Sequence, residues 1–148
     1  MTKTHRILVL TGPAGSGKTA TVRVLSKALS IGILEWQHPV TALASDTEKR
    51  SAFGHFIDFL TRALRYPGLA TTQDSNEVRC LILIEDVPSL NYPEHRRRFH
   101  ELLRRSVRTG GAISVPLVFV VSDVQFGRSS LLEMLPRDVL HGACTQIS

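Results

Sequence analysis

Acidic residues are scarce in this chain, and cysteine and aromatic residues are few. Asp and Glu total 13 against 18 Lys and Arg, a net charge of +5 with a sequence pI near 9.8. That surplus suits an acidic partner, nucleic acid first, and by itself carries little more. There are two cysteines, Cys80 and Cys144, in or beside apolar strand-like runs and without metal-ligand spacing. They read as buried free thiols, which suit a reducing compartment. No apolar run approaches the ~20 residues of a membrane-spanning helix. The first six residues are polar and enter a strand directly, so neither a signal peptide nor a transit peptide is expected there. No internal repeat or low-complexity stretch appears. What remains is 148 residues, 43% of them apolar, enough for one globular domain around a single core.

The most informative stretch is Arg6 to Thr19. Ile7 to Leu10 is an apolar run that reads as a buried strand. It breaks at Thr11-Gly12 into a glycine-rich loop, Gly12-Pro13-Ala14-Gly15-Ser16-Gly17-Lys18-Thr19, and a helical pattern follows at once. This is the G-x-x-x-x-G-K-[ST] phosphate loop in the context it requires, with a strand before and a helix after. The glycines let the backbone wrap close to a phosphate, and successive N–H groups form an anion nest at the positive end of the helix dipole. In that role Lys18 reaches the β- and γ-phosphates and the Thr19 hydroxyl ligates Mg²⁺.

Downstream, apolar strands alternate with helical patterns. The apolar residues Val22, Val24, Leu25, Ala28 and Leu29 predict a helix over 18–29 that lies on a sheet. Ile33, Leu34 and Trp36 predict a second strand, ended by His38-Pro39. Ser45 to Glu48 reads as a capping box for a helix whose stripe is Phe53, Phe56, Ile57, Leu60 and Leu64, read as core rather than as a base-stacking platform. Tyr66-Pro67-Gly68 stops that helix, and 67–77 is read as a polar loop. Val78 to Ile84 predicts a third strand and Val115 to Val121 a fourth. Arg96 to Val107 predicts a helix between them, ended by Gly110-Gly111. A short helical turn holds Leu131, Leu132 and Leu135, and Ala143 to Ile147 predicts a fifth strand. The expected fold is therefore α/β: five strands, mostly parallel, with helices on both faces and ligands at the carboxyl ends of the strands.

Two of those ends are polar. Leu81-Ile82-Leu83-Ile84-Glu85-Asp86 has the form of a Walker B segment, four apolar residues and then acid. Counted from the strand, Glu85 takes the metal position and Asp86 the water-orienting one, and both are assigned to the metal site. In clamp-loader ATPases the usual order is Asp then Glu. The reversal shifts each carboxylate by about one bond length, ~1.5 Å, and a misplacement near 1 Å can cost ~10²-fold in rate. Nucleotide binding with slow or absent hydrolysis in isolation is expected. Ser122, at the end of the fourth strand, is assigned to sensing the γ-phosphate or the lytic water, although Ser122-Asp123 is also ordinary turn chemistry. On the third helix, Arg97, Arg98, Arg104, Arg105 and Arg108 lie opposite Phe99, Leu103 and Val107. That cationic face is either solvated surface, eased by Glu94 and Glu101, or a contact for a DNA backbone.

Four stretches together resemble the large subunit of the DNA-damage checkpoint clamp loader, the Rad-seventeen type, an AAA+ relative of the largest replication factor C subunit. They are Leu10 to Thr19; Glu35-Trp36 followed by Pro39-Val40; Leu81 to Pro88; and Val118 to Asp123. The resemblance covers most of 6–147. It implies ATP and Mg²⁺ bound by the phosphate loop, Glu85-Asp86 and Ser122, small replication factor C subunits as partners, a ring-shaped checkpoint clamp to be placed on DNA, and a nuclear location. It also implies a helical lid and a collar after the core. Neither is expected within these residues, and Pro136-Arg137-Asp138 does not match the Ser-Arg-Cys finger of the small subunits. The expectation is thus an ATP-binding core over 1–148 without its lid. Two other readings stand beside it: a small phosphate-loop kinase acting on a metabolite, and a non-catalytic module stabilised by nucleotide.

Overall fold

The computed structural model describes residues 6–38, 51–65, 79–108, 115–122, 135–139 and 144–147, with the side chains of residues 107–108 and 144–146 excepted. The capping box at Ser45, the loops at 67–77 and Gly110-Gly111, Asp123 and Leu131-Leu132 lie outside the described residues.

Five strands form one sheet: β1 (Ile7–Leu10), β2 (Gly32–Glu35), β3 (Cys80–Ile84), β4 (Leu117–Val120) and β5 (Cys144–Ile147). Their order is β2-β3-β4-β1-β5, and every pairing is parallel. Among the described residues three long helices accompany them, α1 (Lys18–Ala28), α2 (Ala52–Arg65) and α3 (Pro93–Arg108), with a single helical turn at 137–139. The architecture is the expected one.

The alternation of side chains along a strand sorts the core into two layers. Ile7 and Val9, Ile82 and Ile84, and Leu117 and Phe119 pack with Phe53, Phe56, Ile57 and Leu60 of α2 and with Phe99 and Leu103 of α3. The intervening Leu81 and Leu83, with Val118 and Val120, pack with Val22 of α1 on the other face. Burial on both faces is why β3 and β4 read as unbroken apolar runs. The aromatic stripe of α2 is core: Phe56 and Leu60 are wholly buried, and Phe56 lies 5.2 Å edge-on to Trp36 and 5.8 Å from Phe99.

Several element ends differ from the sequence expectation. Strand β2 stops at Glu35, and Trp36 lies just beyond it, its backbone N–H still bonded to the Leu83 carbonyl at 2.9 Å. Ser51 caps α2 by accepting the Gly54 N–H at 3.1 Å, so the helix has a cap adjacent to its first turn. Helix α3 begins one turn early, because Pro93 at its first position lacks only an N–H that would have no helical partner anyway. Strand β4 starts after Pro116, whose carbonyl accepts from Ile82 N–H at 2.9 Å. The broad apolar face expected of α1 is largely outside: Val22 and Ser26 are buried, whereas Val24, Leu25 and Leu29 are 67%, 55% and 62% exposed. Its contact with the sheet is one narrow stripe, too thin to reach residues on the flanks.

Candidate functional site

The strand order decides where the chemistry gathers. Strand β4 lies between β1 and β3, and neighbouring strands are ~4.8 Å apart. The loop after β1 and the acids after β3 therefore stand about 10 Å apart, with the end of β4 between them. Residues Ala14 to Ala20, Glu85, Asp86, Val120 and Ser122 line one cavity of about 360 Å³ there.

The phosphate loop has the backbone its sequence requires. Gly12, Gly15 and Gly17 take φ values of 139°, 78° and 85°. Gly17 is the N-cap of α1 and offers no side-chain hydrogen bond to the helix, and the first turn carries no acid. The first amides of α1 and its dipole thus face the cavity with no side chain competing for the anion. Lys18 Nζ folds back over the loop. It donates to the Gly12 carbonyl at 2.9 Å, the Pro13 carbonyl at 2.7 Å and Ser16 Oγ at 3.1 Å. Three donors meet three acceptors, so a phosphate oxygen has to replace at least one of them.

The acids differ from each other. Asp86 is exposed, while Glu85 is half-buried and its Oε1 is closed to solvent with no hydrogen-bond partner among the described residues. A buried acceptor without a partner costs ~1–3 kcal/mol, more when charged. An orphaned carboxylate oxygen in a cavity shared with the Thr19 hydroxyl fits a divalent cation. Among the described residues no group of three or more His, Cys, Asp or Glu could hold a metal. A cation that takes part of its shell from substrate phosphates needs no such cage.

All five polar groups singled out from sequence, Lys18, Thr19, Glu85, Asp86 and Ser122, are therefore neighbours of one space. Gly12 and Pro13 shape the loop from behind and hold the lysine. The sequence reading missed Ala20 and Val120 of the lining. It also missed the pairing of Arg23 on α1 with Glu35 at the end of β2, both carboxylate oxygens within 2.9 Å of one guanidinium nitrogen. No local signal marks that pair, because only the crossover from α1 to β2 brings it together.

The arginine helix is less free than its sequence suggests. Arg97 and Arg98 are exposed and make no ion pair among the described residues. Arg104 is committed to Asp138, at 2.9 and 3.3 Å. That hydrogen bond holds the Asp138 carboxyl below its ordinary pKa and raises the Arg104 guanidinium. Arg105 lies 3.5 Å from Glu101 one turn back. The Arg108 side chain lies outside the described residues. Among the described side chains the cationic face thus offers two arginines without an ion pair, Arg97 and Arg98, beside the compensated Arg104 and Arg105. Cys80 is buried, and burial pushes its thiol pKa up. No helix among the described residues is long and apolar enough to cross a membrane.

Residues 1–131 match the family model of the Rad17 P-loop domain. The chain is 34% identical over 149 residues to the cell cycle checkpoint protein RAD17 of Mus musculus, covering 90% of this chain and 21% of that protein. It is 32% identical to RAD17 of Homo sapiens, with the same coverage. Against the checkpoint protein RAD24 of Saccharomyces cerevisiae it is 27% identical over 137 residues, 82% of this chain and 19% of the relative. The chain spans about a fifth of the length of the curated relatives it matches.

Proposed function

The chain belongs to the Rad17 P-loop domain family, and on that premise we propose that it is the ATP-binding core of a checkpoint clamp-loader subunit. The carrying observation is the convergence of Lys18, Thr19, Glu85, Asp86 and Ser122 on one cavity at the carboxyl ends of β1, β3 and β4. Lys18 exchanges its loop carbonyls for the β- and γ-phosphates. The Thr19 hydroxyl and Glu85 hold Mg²⁺, which when bound neutralises charge on the phosphates. Ser122 reads the γ-phosphate, and Asp86 is placed to orient water. Asp86 is exposed and the acid order is reversed, so water is poorly excluded and hydrolysis by the isolated core is slow or absent.

On this reading the domain works with small replication factor C subunits in the nucleus, helping to place a ring-shaped checkpoint clamp on damaged DNA. Arg97 and Arg98 supply its sequence-independent contact with the DNA backbone. The module over 1–148 is the nucleotide-binding part of that machine. Thermal melting with and without Mg-ATP tests the site. Wild type should gain stability with nucleotide and Lys18→Ala should gain little. Equal shifts for the two would sink the reading, and phosphoryl transfer to a small metabolite would replace it with a kinase.

A further inference from the structure

A second cavity, of about 280 Å³, opens between the end of β2 and α2, lined by Glu35, Trp36, Gln37, His55, Phe59 and Arg62. Trp36 is 7% exposed, and its indole Nε1 is closed to solvent with no acceptor among the described residues. Its ring packs on His38, Phe56 and Phe59 at centroid distances of 5.2 to 5.8 Å. The floor is thus apolar, and the tryptophan ring is too enclosed to offer a face for base stacking. Around it the charges are unequal. Both oxygens of Glu35 are occupied by Arg23. His55 and Arg62 are exposed, and Arg62 Nε donates to the Asp58 carbonyl at 3.3 Å. Arg65 stands exposed one turn further along α2. An apolar floor and a rim carrying Arg62 and Arg65 together suit a carboxylate-bearing ligand with an apolar side chain.

We propose that this cavity docks an acidic segment of a partner protein. An apolar side chain settles on the floor beside Phe59 and the edge of Trp36, and a carboxylate meets Arg62 and His55. This does not rest on the nucleotide reading, since none of these residues lines the phosphate cavity. Trp36 is the single tryptophan of the chain, so its indole resonance in a nitrogen–proton NMR spectrum is unique. The probe is the blocked peptide Asp-Glu-Leu-Asp-Glu, with Lys-Lys-Leu-Lys-Lys and single-stranded oligothymidylate as comparisons. The acidic peptide should shift that resonance saturably. Arg62→Glu, at an exposed position with melting as a check, should weaken binding about tenfold or more. Lys18→Ala should leave the titration unchanged. An indole resonance unmoved by millimolar acidic peptide overturns the proposal. So does an equal response to the lysine peptide, tighter binding of the oligothymidylate, or full binding by a folded Arg62→Glu.

Discussion

Glu85→Gln separates the two things this carboxylate does. In the free protein its Oε1 is buried without a partner among the described residues, a cost of ~1–3 kcal/mol for a neutral group and more for a charged one. The amide has nearly the same shape and no charge, so the variant should fold at least as well as wild type. A gain of about 1 kcal/mol would raise Tm by roughly 2–4 °C in a domain of this size. With ligand the sign reverses. At a free Mg-ATP concentration one hundred times its Kd, wild type gains about 2.7 kcal/mol, or roughly 5–11 °C on the same scale. The amide cannot replace an anionic ligand to the cation, so most of the Mg-dependent part of that gain should vanish. Differential scanning fluorimetry with ATP plus Mg²⁺, and again with ATP plus chelator, isolates the metal term. A variant that is less stable alone, yet keeps the full Mg-dependent shift, would refute the argument that this oxygen is reserved for a cation.

Four further outcomes are expected. Gly17→Ala should cost ~1–2 kcal/mol in urea unfolding. An added Cβ there meets nothing within 4 Å, so the whole penalty comes from the φ of 85°. Phe56→Ala, at a wholly buried position between Trp36 and Phe99, should cost ~3–5 kcal/mol in the same assay. Arg104→Ala tests the pair with Asp138, whose pKa is lowered mainly by the hydrogen bond from Arg104. A depressed carboxyl pKa stabilises the fold above its unfolded value, and that help is lost as pH falls through the folded value. The Tm difference between wild type and variant should therefore be present at neutral pH and close below the ordinary carboxyl range. Finally, charge reversal at Arg97 and Arg98 should lower the slope of log K against log salt for duplex DNA by about 0.9 per lost phosphate contact. An unchanged slope would remove DNA from that face.

The phosphate loop was legible from sequence because its requirements are local. Glycine at 12, 15 and 17 answers a backbone demand, and Lys18-Thr19 must open the helix that follows. Leu81 to Asp86 was legible for the same reason: a strand buried on both faces is all apolar until it reaches solvent at its end. The arginine helix was read only halfway. Periodicity finds a cationic face, but that Arg104 is bound to Asp138, 34 positions away, depends on how the two segments pack.

The sequence by itself determined the local chemistry of this protein: which turns wrap an anion, which strands are apolar, and where acid ends a strand. The tertiary structure decided the company each group keeps. Placing β4 between β1 and β3 set Ser122 in the same cavity as the phosphate loop and Glu85. The crossover from α1 to β2 joined Arg23 to Glu35, and the meeting of β2 with α2 made the cavity beside Trp36. Backbone preference acts over a few residues, whereas strand order and helix placement follow from burying apolar faces across the whole chain, which no short stretch encodes.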